Sequence, residues 1–182
     1  MDKNATGLRP SDEAKPASLE YGRRQGEAMQ SALHRMIRDI ADDGAVRPAD
    51  DYLVSYAVEK AEGLWVPRDG ELHWQEPEAE NLHLEVAVCD AADGRFLPGL
   101  EVIATLLAPD GQQVGTHRQP FLWHPWLHHY GRNWQVPGDG NYTLKVRIEP
   151  PPYARHDRIN GNRFTRPVEV TFEDVAVKTG RG

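Results

Sequence analysis

The stretch Leu82-His83-Leu84-Glu85-Val86-Ala87-Val88-Cys89 decides how the chain is read. Side chains alternate across a strand, so Leu82, Leu84, Val86 and Val88 form one wholly apolar face. His83, Glu85, Ala87 and Cys89 share the other. An imidazole and a carboxylate two residues apart on a strand stand side by side, roughly 7 Å apart along its axis. On a rigid element such a His-x-Glu pair is half of a metal site before any ion arrives. The other half must come from elsewhere in the chain.

Composition narrows the setting. The 182 residues carry 28 acidic against 21 basic side chains, a formal charge of -7, and the pI is near 5.6. That balance lacks the clustered cations that phosphate contacts need and argues against nucleic acid as a partner. No apolar run approaches the about 18 residues of a membrane span. The start, Met1-Asp2-Lys3-Asn4-Ala5-Thr6, has no apolar leader core. As written the chain reads as cytoplasmic, and as periplasmic if a leader has been removed. The single cysteine, Cys89, excludes an internal disulfide and a Cys-rich zinc knuckle, and its mid-strand position suits a structural thiol.

Around the opening strand the sequence divides into two parts. Residues 1–47 read as a mobile polar tail, to about residue 19, followed by an amphipathic helix from about Glu20 to Asp42. Its stripe is Met29, Leu33, Met36, Ile37 and Ile40, with Gly44 as a C-terminal cap. Residues 48–178 read as strands. Tyr52, Val54, Tyr56 and Val58 alternate with polar or small partners, and Arg68-Asp69-Gly70, Asp93-Gly94 and Pro109-Asp110-Gly111 punctuate the chain. Further alternation runs through Leu100–Leu107, Tyr142–Ile148 and Val168–Val177. About seven short strands with close turn signals and no intervening helix predict an all-β, antiparallel sandwich of immunoglobulin-like type, with one N-terminal amphipathic helix.

Four of the eight histidines crowd into His117–His129. The segment 117–135 is too aromatic for a solvated loop and too rich in proline for a clean strand, so it reads as a loop packed on the sandwich. His124, His128 and His129 are candidate ligands, although adjacent histidines on extended backbone point opposite ways, so at most one of His128 and His129 faces a given site. His156 stands beside Asp157, a carboxylate able to orient the imidazole. Two to four imidazoles and one carboxylate suit copper, zinc, iron or nickel.

These motifs together resemble a known family. His83-Leu84-Glu85, Leu97-Pro98-Gly99-Leu100, His129-Tyr130-Gly131, Gly140-Asn141-Tyr142-Thr143-Leu144 and Arg155-His156 succeed one another as in the periplasmic iron-transport-associated proteins. The resemblance covers about residues 50–177. It implies an immunoglobulin-like sandwich that binds copper and other divalent ions, works beside an iron permease and forms a homodimer. It also implies a ligand set of His83, Glu85, His129 and His156. The family's methionine ligand, seven residues before the second His, falls on Leu122, which favours an all-nitrogen and oxygen site here.

Two other classes fit the same residues. One is a metal-dependent oxidoreductase with the His/Glu set holding an open-site ion, although no Ser-His-Asp or Cys-His arrangement is evident and no substrate is indicated. The other is a metal-free module that binds carbohydrate or protein on Trp123, Trp126, Tyr130 and Trp134. A non-enzymatic metal-binding protein is the leading expectation.

Overall fold

The computed structural model describes residues 7–182. The reading of Met1–Thr6 as a mobile, leaderless start therefore lies outside the described residues. From Arg9 onward the tail is tied down rather than loose. Arg9 and Asn160 exchange backbone-to-amide hydrogen bonds of 2.9 and 2.8 Å, and the Ser11 hydroxyl donates to Asp157 at 2.7 Å. Helix α1 spans Pro16–Arg35, starting earlier than the apolar stripe suggests. Pro16 initiates it, because a proline in the first turn gives up an N–H that has no helical partner anyway. A π turn over Met36–Ile40 ends the helix, with Ala41 N donating to Met36 O at 2.9 Å.

The strands are β1 (Asp43–Ala49), β2 (Tyr52–Glu59), β3 (Leu64–Arg68), β4 (Glu71–Gln75), β5 (Leu82–Asp90), β6 (Val102–Leu107), β7 (Gln113–Gln119), β8 (Phe121–Leu122), β9 (His129–Trp134), β10 (Gly140–Ile148) and β11 (Val168–Val177). They form a five-stranded sheet ordered β1-β2-β5-β9-β8, a four-stranded sheet ordered β11-β10-β6-β7, and the hairpin β3-β4. Every ladder within these sheets is antiparallel. The expected sandwich with an N-terminal helix is what the chain forms.

Two local expectations change. Gly44 does not cap the helix; it lies inside β1, which pairs residue for residue with β2 from Asp43↔Val58 to Ala49↔Tyr52. A Cβ at Gly44 would sit 2.7 Å from the Tyr56 carbonyl oxygen, so the glycine permits close strand approach. Pro48 lies on this edge strand, where its missing N–H costs no ladder bond to a further neighbour. The second change concerns residues 117–135. They are not one packed loop but the end of β7, the short β8 and the six-residue β9, which pairs with β5 from Leu82↔Trp134 to Val86↔Tyr130.

The core lies between the two sheets. Leu82, Leu84, Val86 and Val88 are fully buried against Val102, Ala104, Leu106, Leu144, Val146 and Ile148. Strand β11 keeps its inward pattern past a bulge near Asp174 (φ 57°), so Val175 and Val177 join the core. Strand β5 is buried on both faces. On its outer face, Leu33 and Met36 pack with Ala57, Ala87, Cys89 and Leu127. Burial pushes the Cys89 thiol up to about 12, as a structural cysteine requires. At its other end α1 rests on the Asp90–Arg95 turn through Gly26, where a Cβ would fall 1.6 Å from the Asp93 carbonyl oxygen.

Deleting a core side chain from β5 should be costly. Leu84→Ala is expected to lower unfolding free energy by about 2–5 kcal/mol, measured by urea denaturation; a loss below about 1 kcal/mol would contradict this packing.

Candidate metal centre

The outward face of β5 places His83 and Glu85 on a strand held from both sides, by β2 and by β9. Across the β9 ladder His83 pairs with Asn133 and Glu85 with Gly131. His129 opens β9 and is buried, whereas neighbouring His128 is exposed and packs its ring on Phe121, centroids 5.6 Å apart. His83, Glu85 and His129 each offer a ligand atom within 4.8 Å of the other two. All three are at least 96% buried.

Gly131 makes this convergence possible. A Cβ there would approach His129 Cδ2 to 3.1 Å, His83 Nε2 to 3.3 Å and the Leu84 carbonyl oxygen to 2.9 Å. The two rings can therefore lean over the carboxyl only because residue 131 has no side chain. Their centroids are 6.0 Å apart at a steep interplanar angle of 79°.

Hydrogen bonds fix which nitrogen of each ring is free. Asn133 Nδ2 donates to the Glu62 carbonyl at 2.7 Å, so its Oδ1 faces the Glu62 N–H and His83 Nδ1, the latter at 2.8 Å. His83 Nδ1 is then the protonated nitrogen, and Nε2, the atom facing Gly131, carries the lone pair. In His129, Nδ1 donates to the Leu127 carbonyl at 3.1 Å. Its Nε2 lies 3.3 Å from Glu85 Oε1 without hydrogen-bonding geometry, and is a buried nitrogen with no hydrogen-bond partner among the described residues. A buried acceptor left unpaired in this way is costly, and a metal ion would satisfy it.

Burial sets the charges. It pushes the Glu85 carboxyl up to about 8, helped by the carboxylates of Glu59 and Glu62. It pulls His129 down to about 4 against the help of its Leu127 hydrogen bond, and it lowers His83 as well. At neutral pH the set is a carboxylic acid and two neutral imidazoles. Such a set binds a cation by exchanging the acid proton for it.

The remaining expected ligands sit elsewhere. The His124 ring lies at the rim, 6.1 Å between centroids from His129 and half-buried. His156 is exposed in the loop between β10 and β11. Arg163 anchors that loop to Asp51 and Asp90. Asp90 is seven residues along β5 from His83, about 23 Å at strand rise. Asp157 does not orient His156; its carboxylate accepts from Ser11, Asn160 and the Ile159 N–H. Leu122 pairs directly with His129 across β8–β9 and offers no donor. Sequence reasoning misses Asn133 and Gly131 as site residues, although they alternate with His129 once β9 is seen as a strand.

A family model described as Fe2+ transport protein matches residues 49–178. No curated protein sequence matches. Among solved structures, FetP of uropathogenic Escherichia coli aligns at 20% identity and a TM-score of 0.60, covering 75% of this chain and 94% of that one. A copper-bound variant of FetP aligns at 22% and 0.60, covering 74% and 95%. A copper-bound variant of Campylobacter jejuni P19 aligns at 15% and 0.61, covering 75% and 96%. At these identities the structures establish a shared fold. The family model spans most of the chain and includes all three clustered donors, and the chain belongs to the Fe2+ transport protein family.

Proposed function

We propose that this chain is a non-enzymatic, divalent-metal-binding protein of iron uptake, which holds copper or iron on His83, Glu85 and His129. The observation that carries this reading is the buried cluster itself: three donors within 4.8 Å, one of them an unpartnered imidazole nitrogen. Family membership supports the link to iron uptake, and the copper-bound FetP and P19 structures support copper as an occupant. Zinc suits the same nitrogen and oxygen donors. An iron permease is the partner this role calls for, on the periplasmic side of the membrane. Among the described residues no helix is long and apolar enough to cross a membrane.

The reading includes a homodimer. His156 is remote from the centre in its own chain, so it joins the ligand set from a second copy. Exposed rings at Phe121, Trp123 and Trp126, beside the His124 rim, offer the apolar surface for that contact. His124 and His128 are then outer groups through which an ion approaches. Gel filtration at high protein concentration should give twice the chain mass, and a monomer would reject this arrangement.

Calorimetric titration of copper(II) or zinc(II) tests the centre. His83→Ala should weaken binding by well over the about 10–100-fold typical of losing an outer-shell partner. Equal affinity in the two proteins would sink the assignment.

The charge state gives a second test. With Glu85 at about 8, the acid is mostly protonated at pH 7, and binding should release close to one proton per ion. Above pH 8 the empty site has already lost that proton, so release falls toward zero and affinity stops rising with pH. Titrations in buffers of different ionisation enthalpy read this directly. Release that does not change between pH 6 and 9 would contradict a buried acid as ligand.

A further inference from the structure

We propose that Met36 is a fourth ligand from within the chain, beside the His156 that a second copy supplies, and that its thioether biases the site toward cuprous copper. The inference rests on the metal-binding reading above and adds a donor from outside the sandwich.

The π turn is what aims this side chain. Helix α1 carries its apolar stripe over the outer face of β5, and the π turn begins at Met36. An extra residue in one turn rotates the positions beyond it, and Ile40, in phase with the stripe by sequence, ends up 45% exposed. Met36 itself stays turned to the sheet, at 3% exposure. It lines a cavity of about 10 Å³ on the helix side of the centre, whose wall also includes Leu33, Leu127 and two of the three donors, Glu85 and His129. A space of that size holds about one water molecule or one ion. The polar side chains lining it include Glu85, His129 and Ser55, whose hydroxyl is already spent on the Ala87 carbonyl, and the adaptable side chain lying with them is the thioether of Met36.

Two imidazoles and one carboxyl supply three donors from one chain, and neither these nor the His156 of a second copy offers sulfur. Sulfur is the donor that separates cuprous copper from the harder divalent ions. The other nearby sulfurs are badly placed. Cys89 is four residues beyond Glu85, about 13 Å along the strand. Met29 packs only partly buried, nearly two helical turns before Met36. Methionine has three rotatable bonds, so its sulfur can swing within the cavity without moving the helix. Because Met36 precedes the family-matched residues 49–178, this ligand belongs to the N-terminal extension and not to the shared domain.

The test compares wild type, Met36→Leu and His83→Ala in the full chain. Copper(I) affinity is read by competition with a chromophoric copper(I) chelator, and zinc(II) affinity by calorimetry. Leucine conserves volume, so the variant should fold as wild type does, with a melting temperature close to the wild-type one. Met36→Leu is expected to weaken copper(I) by at least about tenfold while leaving zinc(II) within about threefold, the division expected of a soft donor. X-ray absorption should show a copper–sulfur distance in wild type that Met36→Leu lacks. Unchanged copper(I) affinity together with an unchanged absorption spectrum in Met36→Leu would overturn the proposal while leaving the three-donor centre standing. Wild type that binds neither ion would overturn both.

Discussion

Glu85 stands across the β5–β9 ladder from a residue with no side chain, and the whole centre depends on that pairing. Antiparallel register brings partner Cβ atoms to about 4.5–5.5 Å, which would fill the space over Glu85 with whatever residue 131 carried. Glycine leaves it to His83 and His129. One side of that register places Tyr130 and Trp134 in the core. The other side places His129 and Asn133, the first as donor and the second as the group that fixes the His83 tautomer. A one-residue slip would put the rings outside and the ligands inside, so core packing and site geometry enforce each other.

Water exclusion supplies the second constraint. Helix α1 and Leu127 cover a face that would otherwise be solvated, and burial then holds the carboxyl protonated and both imidazoles neutral. The three donors thus avoid the penalty of an uncompensated buried charge. The empty site is electrically quiet, and entry of a cation restores the charge on Glu85 at the moment a partner for it arrives.

Much of this is legible in the sequence, and the gaps have physical causes. The alternation of Leu82–Cys89 identifies β5, its inward face and the outward His83 and Glu85, because a period of two is unambiguous over eight residues. Strand β9 is hidden because its outward positions, His129, Gly131 and Asn133, are site residues instead of ordinary strand formers, and because Pro120 and Pro125 precede it. Pro16 can be recognised as a helix starter only once the chain after it is seen to be helical. The remoteness of His156 from His83 depends on which end of β5 the last long loop packs against. Arg163 decides that through ion pairs to Asp51 and Asp90, a contact that no local pattern announces.

The N-terminal extension also changes the outline of the five-stranded sheet. Without β1, the long and regular β2 would present a full row of unpaired backbone groups at the sheet's edge. With it, the outermost strand contains Pro48, while the opposite edge is the two-residue β8, preceded by Pro120. Proline and shortness are the features that stop one sheet from templating another. Growth by strand addition is thereby discouraged at both margins of this sheet, which leaves side-chain surfaces as the means by which another molecule meets the layer that carries the centre.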